Sequence, residues 1–121
     1  MEPKPLRSEV LDAAVASALS DLALRPRVRF RHRFVRLILF GSRARGDARP
    51  DSDVDVAVVL RGPLANRWAD KEAMIDDTYP ILLATGLYLQ PWPIAEESLL
   101  NPEIASNPEL VRQIPIDGVA A

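Results

Sequence analysis

The chain has 121 residues, of which 48% are hydrophobic and 26% are charged, a composition typical of a globular protein with one core. Its formal net charge of -2 does not indicate nucleic-acid binding, and its lack of cysteine excludes disulfide frameworks, thiolate metal sites and thiol nucleophiles. The first ten residues lack a signal peptide's apolar segment, and the apolar runs fall short of the roughly 20 residues that span a bilayer. We therefore expect a single cytoplasmic domain, residues 1–121, without membrane contact.

The first predicted element is an amphipathic helix over residues 6–24. Its apolar residues recur at three- and four-residue steps, which is typical of a helix with one buried stripe; they are Val10, Leu11, Ala14, Val15, Ala18, Leu19 and Leu22. Pro26 is predicted to end this helix.

A basic segment follows, from Arg25 to Arg36, with six of the fifteen Lys and Arg residues of the chain. Its arginines alternate with other residues, so an extended conformation would give one strongly basic face. Such a face could contact nucleotide phosphates, RNA or an acidic partner. The alternative is a solvated segment that leads into the first strand.

Two strands are predicted next, on either side of a polar loop. The run LILF, residues 37–40, indicates a buried strand that stops at Gly41. The run VDVAVVL, residues 54–60, indicates a neighbouring strand because it is rich in β-branched residues. Gly46 and Pro50 are suitable places for the loop between them to reverse.

The second half of the chain predicts a helix, an edge strand and short helices. The helix covers residues 64–85, ends at Gly86, and should be kinked or divided by Pro80. Its apolar residues on or near one face are Leu64, Trp68, Ile75, Tyr79 and Leu82. The run LYLQPWPI, residues 87–94, indicates a third strand, which its two prolines place at a sheet edge. This order predicts an α/β (α+β) fold, a small mixed β-sheet with helices packed on it.

The segment from Phe40 to Val59, FGSRARGDARPDSDVDVAVV, carries the candidate site. Residues two apart on a strand point to one face, so Asp53 and Asp55 project together while Val54 fills the other face. Two such carboxylates suit Mg²⁺, which favours one or two carboxylates together with substrate phosphates.

The residues before these acids suit a phosphate group. Gly41 allows the backbone to approach a phosphate closely, and Ser42 offers a hydroxyl and an amide. Arg43 or Arg45 could add a charged clamp. The plain alternative is a turn in which Asp and Ser side chains bond to the backbone. A calcium-binding EF-hand is excluded, because Val56 stands where that loop requires glycine.

The pair Gly41-Ser42, followed after ten residues by Asp53-Val54-Asp55, resembles the GSx10DxD signature of the DNA polymerase β-like nucleotidyltransferase superfamily. The string GSRARG followed by SDVD resembles its minimal, MNT-type members, which are antitoxin-like proteins paired with HEPN-domain toxins. The resemblance implies a polymerase β-like fold and transfer of AMP from ATP to a hydroxyl. By this analogy Gly41, Ser42 and Arg43 hold the triphosphate, Asp53 and Asp55 bind two Mg²⁺ ions, and a HEPN-type toxin is the partner.

One feature departs from that family pattern. Many members carry a third carboxylate on the next strand, but here Gln90 takes the plausible position, and glutamine cannot act as a general base. Glu96 and Glu97 could substitute only if the chain bends back, and Asp76 and Asp77 are predicted on a helix surface. The leading prediction is a minimal nucleotidyltransferase that uses Mg-ATP to modify a partner protein. The alternatives are a non-catalytic antitoxin that acts by binding alone, and an aminoglycoside-like small-molecule nucleotidyltransferase.

Overall fold

The computed structural model describes residues 13–41, 53–105, 107–117 and 119–120. Short 3-10 turns cover Arg31–Arg33 and Pro102–Ile104. The helices and strands, numbered in chain order, are α1 (Ala13–Phe30), β1 (Phe34–Phe40), β2 (Val54–Leu60), α2 (Arg67–Thr85), β3 (Leu89–Ala95), α3 (Glu96–Leu100), α4 (Pro108–Asp117) and β4 (Val119–Ala120). Within these described ranges, no helix is long and apolar enough to cross a membrane.

The strands form one mixed sheet in the order β3-β2-β1-β4. Strand β1 is antiparallel to both β2 and β4, whereas β2 and β3 run parallel. The predicted mixed sheet is therefore confirmed. The predicted edge position of the proline-containing strand is also confirmed, because β3 lies at the end of the sheet.

Both faces of the sheet are covered, which explains why the strands are almost continuously apolar. One core cluster joins the sheet to α1 and α2 and includes Val15, Leu19, Leu22, Leu37, Leu39, Val56, Val58, Met74 and Ile81. The other joins the sheet to α4 and includes Ile38, Phe40, Ala57, Val59, Ile94, Val111 and Ile114. Asp55 is half-buried, while the other six residues of β2 are buried. A carboxylate therefore interrupts an otherwise apolar strand.

The first helix extends further towards the C-terminus than predicted, while its predicted start at residues 6–12 lies outside the described residues. Pro26 does not end it, and α1 continues to Phe30. Leu22, Pro26 and Phe30 follow at four-residue steps and are all buried, so the apolar stripe continues through the proline. The burial of these side chains offsets the backbone hydrogen bond that proline cannot donate.

The predicted extended basic face is wrong, because α1 continues to Phe30 and most of the basic segment is helical. Most of the segment from Arg25 to Arg36 lies in α1 and the 3-10 turn that follows it, and only its last residues belong to β1. Arg29 donates hydrogen bonds of 3.0 and 2.8 Å to the two carboxylate oxygens of Asp77, and Arg33 donates one of 3.1 Å to Asp70. These contacts join the end of α1 to α2.

Asp77 is therefore not the surface residue that the sequence predicts. Its side chain is buried, and its hydrogen bonds raise the pKa of the Arg29 guanidinium. Thr78 is also buried, and its hydroxyl donates to the carbonyl of Ile75 at 2.9 Å. Asp76 is exposed, as predicted.

Helix α2 begins and ends as its sequence indicates, but it buries a different face. The Asn66 side chain accepts a hydrogen bond from the Ala69 N–H, and Gly86 ends the helix with a φ of 76°. The helix passes through Pro80 without division. The predicted apolar face is wrong, because three of its large members are exposed: Trp68, Ile75 and Tyr79. Because their polar groups are satisfied, Asp77 and Thr78 can be buried beside Met74 and Ile81 on the inward face of the helix.

Candidate active site

The contact between Gly41 and Asp55 lies at the centre of the candidate site. The register of β1 and β2 pairs Phe40 with Asp55, so Gly41 follows directly beside the Asp55 carboxylate. Gly41 has a φ of 78°, and a Cβ placed there would lie 2.7 Å from Asp55 Oδ2. Glycine is thus required twice, once by the backbone conformation and once by the approach of the carboxylate.

Asp53 stands immediately before β2 and is exposed, while Asp55 is half-buried. Val54 lies between them and is fully buried in the core, which leaves the two acids on the opposite side of the strand. In the described part of the chain, no group of three or more His, Cys, Asp or Glu side chains could hold a metal ion. A pair of carboxylates fits Mg²⁺ when substrate phosphates supply further oxygen ligands.

Strand β3 brings two more side chains to Asp55. The parallel register pairs Asp55 with Gln90 and Ala57 with Trp92, so Gln90 and Trp92 lie on the Asp55 face. The Trp92 Nε1–H donates to Asp55 Oδ1 at 3.3 Å. One carboxylate oxygen therefore faces Trp92 and the other faces Gly41. The position predicted for Gln90 is confirmed. Trp92 is not among the site residues predicted from the sequence, although its two-residue spacing from Gln90 puts it on the same face.

Lys71 of α2 reaches the same side of the sheet. Its Nζ donates to the Pro91 carbonyl and lies 4.1 Å from the centroid of the Trp92 ring, within cation–π distance. Burial lowers the pKa of the Lys71 ammonium, and the negative charge of Asp55 acts in the opposite direction. The sequence gives no local signal for this residue, because its position depends on how α2 packs against the edge of the sheet.

A cavity of about 480 Å³ lies beside Trp92, between α2, β3, α3 and α4. The part of the lining that the structure describes contains two cationic residues and no acidic one; the residues are Arg67, Trp68, Lys71, Trp92, Pro93, Ile94, Ala95, Ser98, Ala105, Asn107, Leu110 and Val111. Because β2 lies between β1 and β3, Asp55 separates this cavity from Gly41.

The remaining predicted site residues either lie outside the described residues or are distant from Asp55. Ser42 and Arg43 lie outside the described residues, so their roles in nucleotide binding stay predictions. Glu96 and Glu97 begin α3 and are exposed. They follow the far end of β3, roughly 20 Å along the strand from Gln90, so the chain does not bend back to bring them to Asp55.

Comparisons with known proteins bear on the family and the fold of the chain. The family model of the nucleotidyltransferase domain matches residues 23–115. The fold is similar to that of a candidate nucleotidyltransferase from Sulfolobus solfataricus, known from a crystal structure, with a TM-score of 0.51 and 19% sequence identity over 88% of this chain and 84% of that one. At this identity the likeness shows the fold, which confirms the predicted class. No curated protein matches the chain.

Proposed function

The chain belongs to the nucleotidyltransferase domain family, and on this premise we propose that it transfers AMP from Mg-ATP to a hydroxyl group of a partner protein. The observation that carries the proposal is the contact of Asp55 with Gly41. It places a carboxylate, a group that binds metal ions, directly beside a glycine, the residue that best allows a backbone to approach a phosphate closely.

Each residue has a separate role in this proposal. Asp53 and Asp55 would hold two Mg²⁺ ions, which would neutralise the triphosphate and stabilise the charge of an in-line displacement. Gly41, together with Ser42 and Arg43, holds the triphosphate through backbone N–H groups and a guanidinium. Trp92 fixes the orientation of the Asp55 carboxylate through its indole N–H.

The reaction replaces the phosphoanhydride oxygen at the α-phosphorus of ATP by the oxygen of the acceptor hydroxyl, which becomes part of a new phosphoester. The oxygen of the acceptor hydroxyl attacks the α-phosphorus and forms a new P–O bond, while the bond to the bridging oxygen of the β-phosphate breaks. Pyrophosphate leaves with that electron pair, and the hydroxyl proton passes to water. The described site contains no third carboxylate beside Asp55, since Gln90 is its register partner on β3. Proton removal by a side chain is therefore not part of the proposal.

The partner that the sequence resemblance suggests is a HEPN-type toxin in the cytoplasm, with this chain as its antitoxin. Direct binding of nucleic acid through residues 25–36 is not included, because Arg29 and Arg33 already pair with Asp77 and Asp70. Gln90 supports a second candidate, an antitoxin that neutralises its partner by binding without catalysis.

The test is transfer of label from α-labelled ATP to protein in the presence of Mg²⁺. The assay compares this chain alone with the same chain plus the protein encoded by the adjacent gene. We expect label on the partner, and we expect Asp53→Asn to abolish it without preventing complex formation. Asp76→Asn is the matched control, because it neutralises an exposed carboxylate on α2. A stable complex that never acquires label would contradict the catalytic proposal and support the binding antitoxin.

A further inference from the structure

The order of the strands indicates from which side of the site an acceptor hydroxyl would approach. Gly41 follows β1, Asp55 lies on β2 and Trp92 lies on β3, so the carboxylate stands between the glycine and the tryptophan. In an in-line displacement the attacking oxygen and the leaving oxygen lie on opposite sides of the phosphorus. If the backbone at Gly41 holds the leaving pyrophosphate, the acceptor hydroxyl approaches from the β3 side.

The cavity beside Trp92 lies on that side. Its volume of about 480 Å³ is within the range of pockets that enclose small ligands or side chains. Pro93, Ile94 and Val111 give it apolar walls, and Trp92 joins it to Asp55 through the indole N–H. A group that enters the cavity past Trp92 therefore comes next to the carboxylate.

The charge of the cavity restricts what it can bind. Arg67 and Lys71 are cationic, and among the described residues that line the cavity none is acidic. Lys71 is half-buried and is fixed by the Pro91 carbonyl and the Trp92 ring, so its charge is partly desolvated and held in one place. Such a charge attracts a carboxylate and repels a polycation such as an aminoglycoside.

We propose that this cavity is the acceptor site, and that it binds a hydroxyl-bearing peptide segment whose neighbouring side chains are acidic, with Lys71 as the residue that contacts the acidic group. The inference rests on the proposed function, because it assigns the acceptor of the same transfer reaction. The acceptor supplies only its hydroxyl oxygen to the new P–O bond, and its acidic side chains take no part in bond formation.

Intrinsic fluorescence can test binding without any catalysis. The chain has two tryptophans, Trp68 and Trp92, and both line the cavity. The probes are short synthetic peptides with a central serine, threonine or tyrosine, flanked either by glutamates or by lysines. We expect saturable fluorescence changes with the glutamate-flanked peptides and none with the lysine-flanked ones.

Variants then test the role of Lys71. Lys71→Gln should weaken binding of the glutamate-flanked peptides about tenfold, the effect of losing one charged hydrogen bond. Lys71→Arg keeps the charge and should retain the preference for acidic peptides. Arg112→Gln is the matched control, because Arg112 is exposed on α4, outside the cavity lining, and pairs with Glu109.

Two results would overturn the acceptor assignment. One is equal binding of lysine- and glutamate-flanked peptides, or no binding of either. The other is an equal effect of Lys71→Gln and Arg112→Gln. These outcomes are separate from a failure of the proposed function. Label transfer to a partner that Lys71→Gln leaves unchanged would refute the acceptor site alone, whereas peptide binding without any label transfer would refute catalysis alone.

Discussion

Replacement of Gly41 by alanine tests the closest contact of the candidate site. A Cβ at this position would lie 2.7 Å from Asp55 Oδ2, whereas ordinary van der Waals contact begins at 3.4 Å. The carboxylate must therefore move by about 0.7 Å, or the backbone must give way. Either shift displaces a proposed Mg²⁺ ligand.

The substitution has two costs of different kinds. Residues other than glycine lose about 1–2 kcal/mol in the left-handed conformation, which for a chain of this size lowers the melting temperature by about 4–8 °C. Displacement of a catalytic group by nearly 1 Å reduces activity by about 100-fold. Alanine substitutions at Gly62 and Gly86 distinguish backbone strain from displacement of the Asp55 carboxylate. Their φ values of 77° and 76° match that of Gly41, but nothing lies within 4 Å of an added Cβ.

The assay compares Gly41→Ala, Gly62→Ala and Gly86→Ala in thermal unfolding and in Mg²⁺-dependent ATP binding. We expect similar losses of melting temperature in all three variants. We expect ATP binding to be lost only in Gly41→Ala. If Gly41→Ala binds Mg-ATP as well as Gly62→Ala does, the reasoning about the Asp55 contact is wrong.

Two further predictions concern Trp92 and Asp77. Trp92→Phe removes the N–H donor to Asp55 but keeps an aromatic ring for Lys71. The Mg²⁺ concentration for half-maximal activity should therefore rise about three- to tenfold. An unchanged Mg²⁺ requirement would show that this hydrogen bond does not position the carboxylate. Asp77→Ala leaves Arg29 without its bidentate partner and should lower the free energy of unfolding by about 2 kcal/mol. This is less than the loss of a partner costs in a fully buried ion pair, because the Arg29 side chain is 40% exposed. Denaturant unfolding measures this loss. The control is Asp76→Ala, which should change the free energy of unfolding by less than about 0.5 kcal/mol because Asp76 is exposed. Equal stabilities of the two variants would contradict the predicted role of the Arg29–Asp77 pair.

The parts of the fold that the sequence predicts are those with local signals. The predicted strand at residues 54–60 has the bounds observed for β2, because its apolar run ends at a glycine and a proline. The spacing of Gly41 and Asp55 leads to the candidate site because Gly41 directly follows β1 and Asp55 is the second residue of β2, the strand that pairs with β1. Gln90 is also located correctly, since the side-chain alternation of an edge strand fixes its face.

The parts that the sequence does not predict depend on contacts between distant segments. Arg29 and Asp77 are 48 positions apart, and their pairing reverses both the predicted exposure of Asp77 and the predicted basic face. Trp92 and Asp55 are 37 positions apart, so the hydrogen bond between them follows only from the parallel pairing of β2 with β3. Local periodicity carries no information on such pairs.

The most direct test of the central claim is the Mg²⁺ dependence of ATP binding, measured by calorimetry with this chain and with its Asp53→Asn variant. We predict that the unchanged chain binds ATP in the presence of Mg²⁺ and loses binding when the metal is chelated. We predict that Asp53→Asn binds ATP weakly in both conditions and unfolds at the same temperature as the unchanged chain, because Asp53 is exposed. Equal, metal-independent binding of ATP by both proteins would contradict the assignment of Asp53 and Asp55 as a magnesium-nucleotide site.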